Sequence, residues 1–480
     1  MSLPNLRSRA ALSKIESFPS ALSGPLRPLL AGVLVAGVLA ACGTVQTRAV
    51  GPSASAQPSV HPVTAQASEL ARGSDALGGA AREANDERID ALLSQLDDQT
   101  LAREAAALAP GDPLYNYAGR ALLRRGMPAP RAFDREQWQF GSGIRPPADT
   151  DGYRPPVMLG VLLPLSGDMS AAAAPVRDGL LAGYYGEQRR RPEVTFYDTQ
   201  GTPGGAVAAY DQASAEGNDF VLGPLGREEV GALFNRAALP VPVLALNRGV
   251  VRPPAGHAGF SLSPEDEGLA AADYLTDRGA RRVLVVEGSD DSQRRAVAAF
   301  RERLTESGGV VTDVVGAATA DLAPFAQREG GVDAVLLAIR GSAARELIPK
   351  LALAGLADIP RVATSQLLSG TGNAEQDQVL DGIAFPSEAW TNRGVRGLPP
   401  VTSAGQTLPT ARGPAARLFA FGYDAWLLTA YLEHLATRLD AHVEGATGTL
   451  RLDGFGHVRR TPAWSTFISG HVVPLAGPGR

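Results

Sequence analysis

From Val157 onward the chain alternates short, continuous apolar runs with segments whose apolar residues recur at helical spacing. VMLGVLL, VTFYD, DFVLG and VPVLALN come first, and RRVLVVEG, GVVTDVVG and VDAVLLAI follow. Apolar runs of this length suit parallel strands covered on both faces, and the segments between them supply the helices that cover them. The pattern predicts an α/β, doubly wound architecture. About 320 residues are too many for one such sheet, so two similar parallel-sheet lobes are expected, the first starting at VMLGVLL and the second near RRVLVVEG.

Upstream the pattern changes. DERIDALLSQL places Ile89, Leu92, Leu93 and Leu96 on one helical face, and DPLYNYAGRALLRRG has Asp112 before Pro113 at its start and Gly126 at its stop. Two or three short helices are predicted between 86 and 126, as a prefix packing on the main domain, with no 34-residue internal period. Residues 43–85 are rich in Ser, Ala, Gln, Gly and Pro and nearly devoid of large apolar side chains, so a flexible linker is expected there. A Pro- and Gly-rich stretch over 127–155 marks a boundary. The expected organisation is a signal at 1–41, an anchor and linker at 42–85, a short helical segment at 86–150 and the two-lobed domain at 151–480.

The first 42 residues carry a different signal. Arg7, Arg9, Lys14 and Arg27 precede an uncharged run from Leu29 to Ala41, too short to span a bilayer, and the run ends at Cys42, the only cysteine in the sequence. The basic stretch is long for a signal of this class, which places the expected start codon further in. Leu39-Ala40-Ala41-Cys42 resembles a bacterial lipobox, in which the thiol is alkylated with diacylglycerol, the chain is cut between Ala41 and Cys42, and the new amino group is acylated. Only sulfur forms the thioether, and the small residues let a peptidase approach. Several acyl chains hold a protein stably where one holds it marginally. Gly43, where an aspartate would favour the inner membrane, implies by the same resemblance the periplasmic face of the outer membrane.

Charge and composition narrow the function. The formal charge of −5 becomes about −8 once residues 1–41, with four cationic side chains and Glu16, are removed. Nucleic acid binding, which needs clustered positive charge, is not expected. A lone cysteine excludes an internal disulfide and a cysteine-rich zinc site, and no cofactor is expected. The sequence has no G-x-S-x-G, no H-E-x-x-H and no Gly-Lys pair, and its histidines (61, 257, 434, 442, 457, 471) lack ligand spacing. Leu347 stands three positions before Lys350, so the S-x-x-K of penicillin-binding enzymes is missing as well. No catalytic residue and no metal ligand is assigned, and an enzyme is not expected.

GVLLPLSGDMSAAAAPVRDGLLAGYY, FYDTQG and DFVLGPLGREEVGALFNRAALPVPVLALN resemble the type I periplasmic binding-protein fold of leucine/isoleucine/valine receptors, and ARLFAFGYDAWLLTAYLEHL resembles its late helix. GATGTLRLDGFGHVRRTPAWSTFISG is similar to the closing hairpin of one branch, the penicillin-binding protein activator lipoproteins. That resemblance, over about 157–472, implies an outer-membrane lipoprotein that stimulates a bifunctional (class A) penicillin-binding protein, a peptidoglycan synthase, and so regulates cell-wall synthesis. Well-studied members carry a large helical-repeat domain, where this chain has only 86–126. The alternative is a lipid-anchored solute receptor of an ABC importer.

In doubly wound sheets, ligands sit outside the carboxyl ends of the strands. Ser166 in the PLSGDMS turn, with Asn247 and Arg248 in ALNR, are therefore the candidate ligand residues, although ALNR lacks the Ser or Thr that holds a ligand carboxylate in amino-acid receptors. Arg248 reads more simply as an interlobe or surface ion pair, Asp290 and Asp291 as helix caps, and Asp424 as a buried hydrogen-bonding group. Trp390 and Trp464 read as packing residues, with partner anchoring as the other role.

Overall fold

The computed structural model describes residues 60–475 apart from 78, 126, 132, 135–142, 144 and 439–440, so Cys42 and the expected signal lie outside the described residues. The first helices are α1 (Pro62–Gly73), α2 (Gly79–Ser94), α3 (Asp98–Ala107) and α4 (Tyr115–Arg124). The first of these, and the start of the second, occupy sequence expected to be flexible linker. The reason is local. His61 accepts a hydrogen bond from the Val63 N–H, Pro62 stands where its missing N–H costs nothing, and the small Ala67 and Ala71 pack among Ile89, Leu93 and Leu122. A stretch without large side chains still folds when its alanines let neighbouring helices close on it.

The first lobe forms around an eight-stranded sheet. Its strands β1 (Met158–Leu163), β2 (Glu193–Asp198), β3 (Phe220–Leu222), β4 (Val243–Ala245) and β5 (Ala258–Phe260) run parallel in the order 5-4-3-1-2, linked through α5 (Ser170–Gly186), α6 (Pro203–Ala215) and α7 (Arg227–Phe234). Thr202 caps α6 by accepting from the Gly205 N–H. The stretch expected as a boundary is pinned to this lobe, because Arg145 makes a buried 2.8 Å ion pair with Asp219.

The chain crosses to the second lobe after β5. There α8 (Pro264–Thr276), β6 (Arg282–Glu287), α9 (Asp291–Glu306), β7 (Val310–Gly316), α10 (Ala323–Ala326), β8 (Ala334–Ala338), α11 (Gly341–Leu353) and β9 (Arg361–Ala363) give a parallel sheet ordered 7-6-8-9. After α12 (Ala374–Asp377) and β10 (Phe385–Ser387) the chain crosses again. Two short helices, α13 (Ala389–Arg393) and α14 (Val401–Thr407), lead to α15 (Ala415–Thr437), which lays Phe421, Ala425 and Trp426 on the first-lobe core beside Leu159, Val161 and Phe260. The expected α/β architecture of two doubly wound lobes is the one observed.

The closing stretch differs from a single hairpin. β11 (Val443–Glu444), β12 (Thr449–Leu452) and β13 (His457–Thr461) complete the first-lobe sheet, with β13 parallel to β5. The chain then crosses a third time, and β14 (Ala463–Ile468) pairs antiparallel with β10 and with β15 (His471–Pro474). Pro462, at the crossing, has no N–H to continue the ladder. No helix among the described residues is long and apolar enough to cross a membrane.

One buried side chain gives the fold a pH response. His257 is 6% exposed and its Nδ1 accepts the Val243 N–H at 3.1 Å, so the neutral ring is the form the fold holds. Burial pushes its pKa down to about 4 from 6.5. The unfolded chain takes up this proton first as pH falls, so the contribution is complete above pH 6.5 and is lost progressively between 6.5 and about 4, by about 3 kcal/mol. Urea unfolding at pH 7 and pH 4.5 is expected to show a larger loss for the wild type than for His257→Asn. Equal losses would show that the ring has the same pKa in the folded and unfolded states.

Candidate functional site

The interlobe cleft is walled by the carboxyl ends of both parallel sheets. On the first-lobe side Ser166 lies in the β1–α5 turn, where its hydroxyl donates to Asp198 Oδ2 at 2.6 Å, and the N–H groups of Leu165 and Gln200 donate to Asp198 Oδ1. The Ser166 hydroxyl, with these backbone donors, holds the Asp198 carboxyl below the ordinary range. Asn247 follows β4, donating to the Leu225 carbonyl at 2.8 Å and accepting the Arg248 N–H at 2.9 Å. Arg248 reaches across to the second lobe, with Nη2 3.7 Å from Asp266 Oδ1, so its ion-pair reading describes what it does here. Asn247 and Arg248 are thus brought together against α8, while Ser166 is occupied elsewhere, by Asp198.

The cavity between the lobes is small, about 150 Å³, and is lined by Pro264, Glu267, Ser292, Thr364, Ser365 and Arg417 among others. Sites that enclose whole small molecules are roughly 300–1,000 Å³. Two of its lining side chains, Glu267 and Arg417, are charged and paired with each other. Glu267, at the first turn of α8, accepts the Ser365 N–H at 2.8 Å and the Ser365 hydroxyl at 2.7 Å, and pairs with Arg417 of α15. Arg417 Nε also lies 3.2 Å from Glu388. Burial opposes a charge on Glu267, but Arg417 and Arg460 together with the Ser365 donors outweigh it and hold the carboxyl below its ordinary pKa. Among the described residues no group of three His, Cys, Asp or Glu is arranged to hold a metal ion.

Residues 267, 365, 388 and 417 were not read as a group from sequence, because 150 positions separate the two ends of one ion pair. The only visible sign was the acidic turn after Ser263-Pro264, which by itself reads as a helix cap.

Other sequence candidates resolve into structure. Asp290 is the N-cap of α9, in a reciprocal capping box with Gln293, and Asp291 lies in its first turn. Trp390 is 1% exposed, stacks on Phe419 and donates its indole N–H to the Pro399 carbonyl at 2.8 Å. Trp464 packs on Tyr274 with ring centroids 4.1 Å apart. Asp424 has no exposed surface and accepts hydrogen bonds from the N–H groups of Ala446 and Thr447 and from the Thr447 hydroxyl. Burial pushes its pKa up to about 7. Asp424→Ala leaves these donors unpaired, and chemical denaturation is expected to show a loss of about 4 kcal/mol at pH 6, with Asp424→Asn retaining part of it. A change below about 1 kcal/mol would mean that water replaces the carboxyl group at no cost.

The helical prefix docks on the first lobe through the β12–β13 turn. Phe455 lies 4.7 Å from the Tyr117 ring, and the Arg120 and Arg252 guanidinium groups stand over it at 4.1 and 4.6 Å. Asp86, 1% exposed, accepts the Tyr117 hydroxyl and pairs with Arg252 at 2.9 Å.

Two doubly wound lobes joined by three crossovers, with a cleft at the strand ends, define a protein of the type I periplasmic binding-protein class. The model of the LppC putative lipoprotein family matches residues 153–314 and 303–470, and the chain belongs to that family. A relative from Photobacterium profundum described as penicillin-binding protein activator LpoA is 26% identical over 361 residues, covering 66% of this chain and 56% of the relative. A Haemophilus influenzae relative of the same description is 25% identical, covering 66% and 55%. The chain thus spans about half the length of the curated relatives it matches. Among solved structures, the LpoA (YraM) C-domain from Haemophilus influenzae, described as a regulator of PBP1A, superposes with a TM-score of 0.59 at 23% identity, over 66% of this chain and all of that one. A putative branched-chain amino acid ABC transporter protein from Chromobacterium violaceum superposes at 0.52 with 29% identity, over 65% of this chain and all of that one.

Proposed function

We propose that this chain is an outer-membrane lipoprotein, anchored through Cys42 on the periplasmic face, that binds a class A penicillin-binding protein and raises its rate of peptidoglycan synthesis. The observation that carries the reading is the match, through both lobes, to relatives described as penicillin-binding protein activators. The small cleft, with a charged pair in its lining, fits a protein that acts by contact rather than by capturing a solute. Activation by contact requires that the lobed body bind the synthase's active conformation more tightly than its inactive one. Neither a catalytic residue nor a cofactor enters this reading.

Titrating the purified protein into a class A penicillin-binding protein with lipid-linked substrate is expected to raise the glycan polymerisation or crosslinking rate several-fold, saturably. A flat titration alongside direct binding would leave a scaffold without activation, and the activator reading would be abandoned.

The similarity to a branched-chain amino acid ABC transporter protein favours a second reading, a lipid-anchored solute receptor. A thermal-shift screen against amino acids, peptides and wall fragments separates the two. A rise of several degrees with one small ligand would promote the receptor, because ligand binding to the folded state alone stabilises it by mass action.

A further inference from the structure

Two of the three crossovers between the lobes share one largely buried cluster of charges. Glu267 lies in the first turn of α8, just past the first crossover; Glu388 follows β10, on the second; Arg460 precedes Thr461 and Pro462, at the third. Arg417, reaching in from α15 on the first lobe, pairs with both glutamates. Arg460 is 6% exposed and donates to the Thr447 carbonyl at 3.2 Å. Two carboxylates thus share the Arg417 guanidinium inside the hinge. One turn of α8 continues the pattern, since Asp266, 5% exposed, sits 3.7 Å from Arg248 and 3.5 Å from Arg459 of the first lobe.

A solute receptor of this fold works by bending its crossovers so that the lobes close on a ligand. Here bending would pull Arg417, carried by the first lobe, away from Glu267 and Ser365, carried by the second. Glu267, whose side chain is 5% exposed, would lose its partner, and stripping the partner from a buried carboxylate is strongly unfavourable. We infer that the Glu267–Arg417–Glu388 cluster is a hinge lock that fixes the angle between the lobes without any ligand. The body is then a rigid platform whose two lobes present one composite surface. The lock stands independently of which partner the protein serves, so its failure would leave the activator reading untouched, and a flat synthase titration would leave the lock untouched.

The test places spin labels at the two lips of the cleft, Asp168→Cys and Ser369→Cys, in the full chain carrying Cys42→Ser, and measures the distance distribution between them. With the cluster intact a single narrow population is expected. Arg417→Met keeps the side chain's apolar length and removes its charge, and is expected to at least double the width of the distribution or move its centre by several ångströms. If Arg417→Met does not fold, the doubly neutral Glu267→Gln/Arg417→Met leaves neither member of the pair charged and is read in the same way. An unchanged distribution in the folded variant overturns the lock. A doubly neutral variant that cannot fold also overturns it, because the cluster would then belong to the folding core rather than to a hinge.

Discussion

Replacing Cys42 by serine is expected to abolish lipid labelling of the protein completely. A hydroxyl at this position cannot form the thioether on which the later steps depend, so cleavage after Ala41 and acylation of the new amino group fail with it. The product keeps residues 1–41 and migrates as the longer precursor. Metabolic labelling with a radioactive or alkyne-bearing fatty acid, read on an immunoprecipitate, should fall to background, and the protein should leave the outer-membrane fraction. The effect is expected to be all-or-none because, in the proposed anchoring, membrane residence would rest on the acyl chains together: one chain holds only marginally, and two or more hold stably. Serine protein that still takes up label would place the acylation elsewhere and remove the anchor from the proposal.

The second large effect lies in the first-lobe core, where α5 and α15 meet along glycines. A Cβ built on Gly422 would stand 1.9 Å from the Val176 carbonyl oxygen, and one on Gly179 would stand 1.9 Å from that of Phe419. Both obstacles are helix backbone, which has no rotamer to turn away. Gly422→Ala is therefore expected to destabilise the protein by about 3 kcal/mol or more, although alanine in a helix is otherwise favoured over glycine by about 1 kcal/mol. Gly204→Ala on α6, with nothing within 4 Å, is the control and should leave the melting temperature unchanged or slightly raised. If the two alanines behaved alike, the close approach of the helices would be wrong. Because α15 also carries Arg417, prising it from α5 would displace the hinge cluster too, so the Gly422 variant should lose interlobe order along with stability.

Much of the lobed architecture was legible because its signals are local. Runs such as VMLGVLL and RRVLVVEG became the central strands β1 and β6, since a strand buried on both faces needs nothing beyond its own apolar residues to be recognised. Asp290 capped the helix it was read to cap. Where the linker reading failed, small side chains were responsible. The stretch around Ala67 and Ala71 looked too poor in apolar surface to fold, yet alanines at a helix contact bury little area while admitting neighbours closely.

By itself the sequence determined the two-lobed α/β class and the family resemblance, because each depends on residue types and spacings within a few dozen positions. The tertiary structure alone decided how the cleft is lined. Glu267, Ser365, Glu388 and Arg417 become neighbours only when two of the crossovers and α15 are laid side by side. An ion pair carries no trace in sequence of its partner 150 residues away, since its energy depends on the distance and burial that folding creates.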